Sequence, residues 1–146
     1  MPHRHSSIRE GVQLGLIVAT SIWAWLALVD AAAGEPFRTF TVLGGVVPFT
    51  ILHYLLCLVY GVIAVSAVHR AAREPSLLIA AAFVFFIVEF AFAMLTALLA
   101  QVGLGELAWI RILGGNLVGA ALTFVLLSRK HSLREELRRA EAEEQQ

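Results

Sequence analysis

Apolar positions dominate the chain in four long runs, near Val12 to Val29, Val46 to Val68, Leu77 to Gln101 and Ala108 to Leu127, separated by short stretches where charge, glycine and proline collect. A helix needs roughly 20 residues to cross the hydrocarbon of a bilayer, so the pattern predicts four transmembrane helices. The first linker, DAAAGEPFRTFTVLGG, is punctuated by Gly34, Pro36, Gly44 and Gly45 and kept apolar by Phe37, Phe40 and Leu43. It reads as an interfacial loop. In the second, HRAAREPS, Pro75 stops one helix and Ser76 stands where a cap for the next would lie. The third, VGLGE, carries glycines suited to a helix C-terminus.

Polar sequence flanks the runs at both ends. Ser6 or Ser7 is placed to cap the first helix. The tail SRKHSLREELRRAEAEEQQ spaces Ser132 and Glu135 as a capping box and Glu135 and Arg139 as a helical ion pair. The division expected is therefore a four-span bundle over 1–127 and a charged, solvated helical tail over 128–146. Nine of the eleven Lys and Arg residues fall on the side that holds both termini and the second linker, and only Arg38 and Arg111 on the other. By the positive-inside rule both termini are expected to be cytoplasmic. Trp23, Trp25 and Trp109 then lie toward the outer face, as in an aromatic belt, and so marked a bias argues against dual-topology exporters and fluoride channels. A cleaved signal peptide is the alternative for the first run, with Ala31, Ala32 and Ala33 imitating a cleavage site, but the apolar core is longer than such peptides carry.

Composition agrees with the pattern. With 146 residues, 59% of them hydrophobic, and a mean hydropathy of +0.79, the chain is too apolar for an ordinary water-soluble domain. Its formal charge is zero, so no basic field argues for nucleic acid. A single cysteine, Cys57, excludes a disulfide framework and any CxxC pair, and with them the quinone-linked disulfide-forming four-helix enzymes.

Candidate chemistry centres on Glu89, the sole acidic residue between Leu77 and Ala100. A carboxylate in hydrocarbon is costly, so it is expected to face protein or a water-filled cavity and to mark a site. Helical spacing places Phe85, Glu89, Phe92 and Thr96 on one face of the third helix, and Thr50, His53, Cys57 and Tyr60 on one face of the second. At about 1.5 Å of rise per residue, His53, Asn116, Thr20 and Glu89 lie roughly 10, 12, 13 and 18 Å below the outer ends of their helices. A buried polar cluster of Glu89, His53, Asn116, Thr20, Thr50 and Tyr60 is therefore expected. Its plain reading is a neutral glutamic acid fixing helix register; its functional reading is a proton-exchanging or ligand-holding site.

Other groupings say less. Gly115 and Gly119 form a GxxxG suited to close helix packing. Asp30 and Arg111 stand at similar levels near the outer face, and a weak surface ion pair, or one between Arg111 and Glu106, is expected there. His53 and Cys57, with Glu89 as a third donor, are weak metal candidates. His53 and His69 share one helix about four turns apart and cannot clamp one haem. No cofactor is implied, and no GxSxG, HExxH, P-loop or dinucleotide fingerprint is present.

The segments GEPFRTFTVLGG, TILHY, FFIVEF and GGNLVGA together resemble a group of uncharacterised small bacterial four-span membrane proteins of similar length. The resemblance implies the same topology, with Pro36, Thr41, His53, Glu89 and Asn116 as the shared-looking positions, and no activity. The fold expected is an all-α membrane protein, an antiparallel four-helix transmembrane bundle in a bacterial cytoplasmic membrane. The first function expected is a non-enzymatic accessory or interaction subunit, partnered by the bilayer and by another membrane protein or a second copy. The second is a proton-linked transporter or small-ligand site using Glu89 and His53, and the third a metal- or haem-binding redox subunit.

Overall fold

A computed structural model describes residues 3–71 and 76–130, and every regular element among them is helical. The elements are α1 (His3–Ala32), the short α2 (Arg38–Val42), α3 (Val46–Ala71), α4 (Ser76–Leu99) and α5 (Gly114–Lys130). Four helical stretches, Ile8–Ala32, Val46–Arg70, Phe83–Leu107 and Trp109–Arg129, are long and apolar enough to cross a membrane, which is consistent with a multi-pass membrane protein. Ser6 and Ser7 fall inside α1, which begins at His3, so neither stands at its N-cap position. Pro75 and the tail pairs Ser132–Glu135 and Glu135–Arg139 lie outside the described residues.

The tightest contact is between α1 and α3, and glycine makes it. A Cβ on Gly15 would sit 2.5 Å from the Cys57 carbonyl oxygen, and one on Gly11 2.5 Å from the Val62 Cα, while Gly61 of α3 faces the backbone of both. Two helices meet here backbone to backbone, the geometry that small residues permit in an apolar medium where burial of greasy surface gives no drive of its own. Beside this crossing, Leu14, Val18 and Val65 form a small buried core. The anticipated pair Gly115 and Gly119 also packs against α1, on Trp25, Ile22 and Val18.

The linker after α1 folds into α2, which tucks Phe40 and Thr39 inward and leaves Arg38 and Thr41 exposed. Phe37 enters α2 with φ 61°, in the left-handed region, a conformation that costs an L residue about 1–2 kcal/mol. Its ring meets Phe40 and Trp23 at centroid distances of 5.8 and 6.5 Å. Gly44 and Gly45 close α2 at φ 102° and 109°, and the Gly45 amide donates to the Phe40 carbonyl at 2.7 Å. Phe40 joins Leu26, Leu104, Ala108 and Ile112 in the larger buried core.

After α4 the chain departs from α-helical geometry. π-helical turns span Ala100–Leu104 and Trp109–Leu113 on either side of a 3-10 turn, Gly105–Leu107. The helical path breaks at Gly103, and Gly105 takes φ 61°. Three carbonyls of these turns accept from side chains: Trp25 Nε1 donates to that of Ile110 at 2.9 Å, Arg38 Nη2 to that of Gly103 at 3.1 Å, and Arg111 Nη1 to that of Leu104 at 3.3 Å.

Candidate functional site

Two polar centres emerge, one in a cavity between the long helices and one under α2. The cavity has a volume of about 460 Å³ and is walled by α1, α3, α4 and α5. Its surface is almost wholly apolar, with Val18, Ile22 and Leu26 from α1, and Leu95 and Leu99 from α4. The polar residues among its lining are Glu89, Asn116, His53, Cys57 and Tyr60. Leu52 and Leu56 on one side, and Phe85 and Val88 on the other, line the cavity while remaining 42–60% exposed. The cavity thus opens sideways, along the seam between α3 and α4.

Glu89 meets Asn116. The Asn116 Nδ2 donates to Glu89 Oε1 at 2.8 Å and to Oε2 at 2.9 Å, a bond that crosses from α5 to α4. Asn116 is free to face α4 because its neighbours Gly115 and Gly119 occupy the α1 side of the helix. Tyr60 donates from α3 to the Thr123 hydroxyl of α5 at 3.3 Å, and Thr123 in turn donates to the Gly119 carbonyl at 2.8 Å.

The other expected members are turned elsewhere. His53 lines the same cavity but spends its Nε2 on the Ala19 carbonyl at 3.1 Å; a carbonyl only accepts, so Nε2 carries the proton. Its ring stacks on Phe49, with centroids 5.2 Å apart and planes 10° apart. Glu89 and His53 therefore share a chamber without sharing a bond. Thr20 is exposed and contacts the Tyr54 hydroxyl at 3.0 Å. Thr50 accepts from Trp23 Nε1 at 3.0 Å. Neither Thr20 nor Thr50 belongs to the Glu89 cluster, because the glycine crossing sets a rotation of α1 and α3 that depth along a helix does not reveal.

The His53 and Cys57 side chains lie 3.9 Å apart, with Glu89 not drawn into a donor set. Among the described residues no three His, Cys, Asp or Glu side chains gather as a metal site. Toward the far end of α3, His69 lies 4.0 Å from Glu10.

The second centre corrects the expected surface pair of Asp30 and Arg111. Both are buried, at 0% and 1% exposure, because α2 and its flanking loop close over them. Arg111 Nε lies 2.8 Å from Asp30 Oδ1, its Nη2 donates to Glu35 Oε2 at 2.9 Å, and its Nη1 to the Leu104 carbonyl at 3.3 Å. Asp30 also accepts from the Thr39 amide at 2.8 Å and the Thr39 hydroxyl at 2.7 Å. Arg111 pairs with Glu35 and Asp30 rather than Glu106, which is exposed. Sequence reading missed Glu35 and Thr39, although both lie in the linker that begins at Asp30, where the turn between α1 and α2 brings the three together. The cluster ties α1, α2 and the turn before α5 into one unit, held by ion pairs and hydrogen bonds, with Arg111 Nε close to Asp30 but making no hydrogen bond of its own.

No family model, curated protein or solved structure matches this chain.

Proposed function

We propose that this is a multi-pass protein of a bacterial cytoplasmic membrane, an antiparallel four-helix bundle with both termini cytoplasmic, whose work is done in the Glu89 cavity. There it holds a small, largely apolar molecule that enters from the bilayer between α3 and α4 and turns a polar end toward Glu89 and Asn116. The observation that carries this reading is the cavity itself: about 460 Å³ of space within the bundle, apolar but for a few convergent polar groups. That is the usual make-up of a small-molecule site. A purely structural glutamic acid needs its asparagine partner and no space beside it.

The experiment is to purify the chain in mild detergent, extract it, and identify retained small molecules by mass spectrometry, beside an Ala120→Phe variant that fills the cavity from α5. Retention by the wild type and loss from the variant is the expected result. An empty wild type, or equal retention by both, removes the reading.

A second reading, an accessory subunit of a larger membrane complex, is favoured by α4. Phe83, Phe86, Phe90 and Met94 recur along one side of that helix at 58–70% exposure. Co-purification of this chain with a larger assembly, abolished by Phe86→Ala with Phe90→Ala, is the outcome that reading requires. Isolation as a lone monomer under the same conditions excludes it.

A further inference from the structure

Resting on the cavity reading above, we infer that the molecule held beside Glu89 is an organic monocation, a quaternary or protonated amine with an apolar body. Three observations converge on that chemistry. The first is a carboxyl group with no Lys or Arg neighbour in the cavity. Glu89 lines the cavity, and no Lys or Arg is among the described residues that line it. Arg111, the guanidinium buried elsewhere in the molecule, is committed to Asp30, Glu35 and the Leu104 carbonyl. An anion in an apolar setting is stabilised by an opposite charge far more than it would be in water, and here that charge has to arrive with the ligand.

The second observation is the aromatic wall. Phe49 and Tyr60 of α3 and Phe85 and Phe92 of α4 all line the cavity, Phe49 with one face stacked on His53. Ring faces carry negative quadrupole density, so a cavity lined by aromatic side chains together with a carboxyl group suits an ammonium group. The third is the state of the remaining polar groups. His53 gives its ring N–H to the Ala19 carbonyl and Tyr60 its hydroxyl proton to Thr123, so the donors that an anionic ligand would need are already engaged. Asn116 offers its amide to Glu89 itself, holding the carboxylate in place. An anion is repelled by this constellation, a neutral molecule gains only its apolar contacts, and a cation gains both.

The test compares two isosteres, benzyltrimethylammonium and neopentylbenzene, which differ in a nitrogen cation against a quaternary carbon. Equilibrium binding of each, radiolabelled, is measured on the full chain in maltoside micelles, with empty micelles subtracted. The expected result is tighter binding of the cation by the wild type. In Glu89→Gln, whose amide oxygen still accepts from Asn116, cation affinity falls on the order of 30-fold or more, as when one partner of a buried charge pair is removed, while neopentylbenzene is unchanged. Phe92→Leu, which keeps the apolar wall and removes a ring, weakens the cation several-fold and leaves the neutral probe alone. Equal binding of the two isosteres by the wild type, or cation binding indifferent to Glu89→Gln, overturns the inference and leaves the cavity reading standing. Binding of neither probe takes away the cavity reading as well.

Discussion

Arg111 and Glu89 are charged residues in apolar surroundings, and their neighbours give them opposite characters. Arg111 is surrounded by two carboxylates and a carbonyl, and its closest partner, Asp30, is itself bonded twice by Thr39. Such an arrangement holds only while it is complete. Removing one member of a buried pair leaves the other uncompensated and typically costs about 3–5 kcal/mol, so Arg111→Leu should lower unfolding stability in detergent by that order. Glu35 is half exposed, and water screens its contact with Arg111. Glu35→Gln should therefore cost less than about 1 kcal/mol. Equal losses from the two substitutions, measured by the same denaturation series, would show that burial does not set the energetics of this cluster. Glu89 has one strong partner and open space beside it, and that difference separates a fastening from a candidate site.

At the scale of elements, the crossing of α1 and α3 governs much of what surrounds it. Gly61 has no room for a side chain, since a Cβ there would run into the Gly11 carbonyl oxygen and the Gly15 backbone. Gly61→Val should push the helices apart and cost at least the roughly 1–3 kcal/mol of an overpacked core. Gly34 is a different case: a Cβ there meets nothing, but its φ of 73° suits glycine. Gly34→Ala should cost about 1 kcal/mol through backbone strain alone. Thermal unfolding of both variants, with cross-linking across α1 and α3 as a second readout, distinguishes separation from strain; a Gly61→Val protein with the helices still in contact contradicts this account. The same crossing explains what helical spacing left unread. Counting residues gives depth and face on one helix, but the rotation of α3 is fixed by where Gly61 meets Gly11 and Gly15. That rotation delivers His53 to the Ala19 carbonyl and Thr50 to Trp23.

Over the whole molecule, the long apolar runs made legible four helices long and apolar enough to span a membrane, because the length needed to cross hydrocarbon is written directly in composition. Glu89 and Asn116 were grouped from the sequence in one polar cluster, and the two side chains bond. The burial of Asp30 and Arg111 was not, since it depends on α2 folding back as a cover, a tertiary event with no periodic signature in a five-residue helix. Chain order gives that cover a biosynthetic meaning. Asp30, Glu35 and Thr39 all precede α3, whereas Arg111 arrives only after α4. A growing chain therefore carries an unanswered carboxylate through most of its synthesis, and the emergence of Arg111 neutralises it. A truncation ending at Leu107 should be cleared by membrane proteases faster than the same truncation with Asp30→Asn, as pulse-chase lifetimes would report; equal lifetimes would mean that Asp30 is not sensed. Assembly of this cluster thus waits on charge, with the turn before α5 supplying the cation that answers the carboxylate at the end of α1.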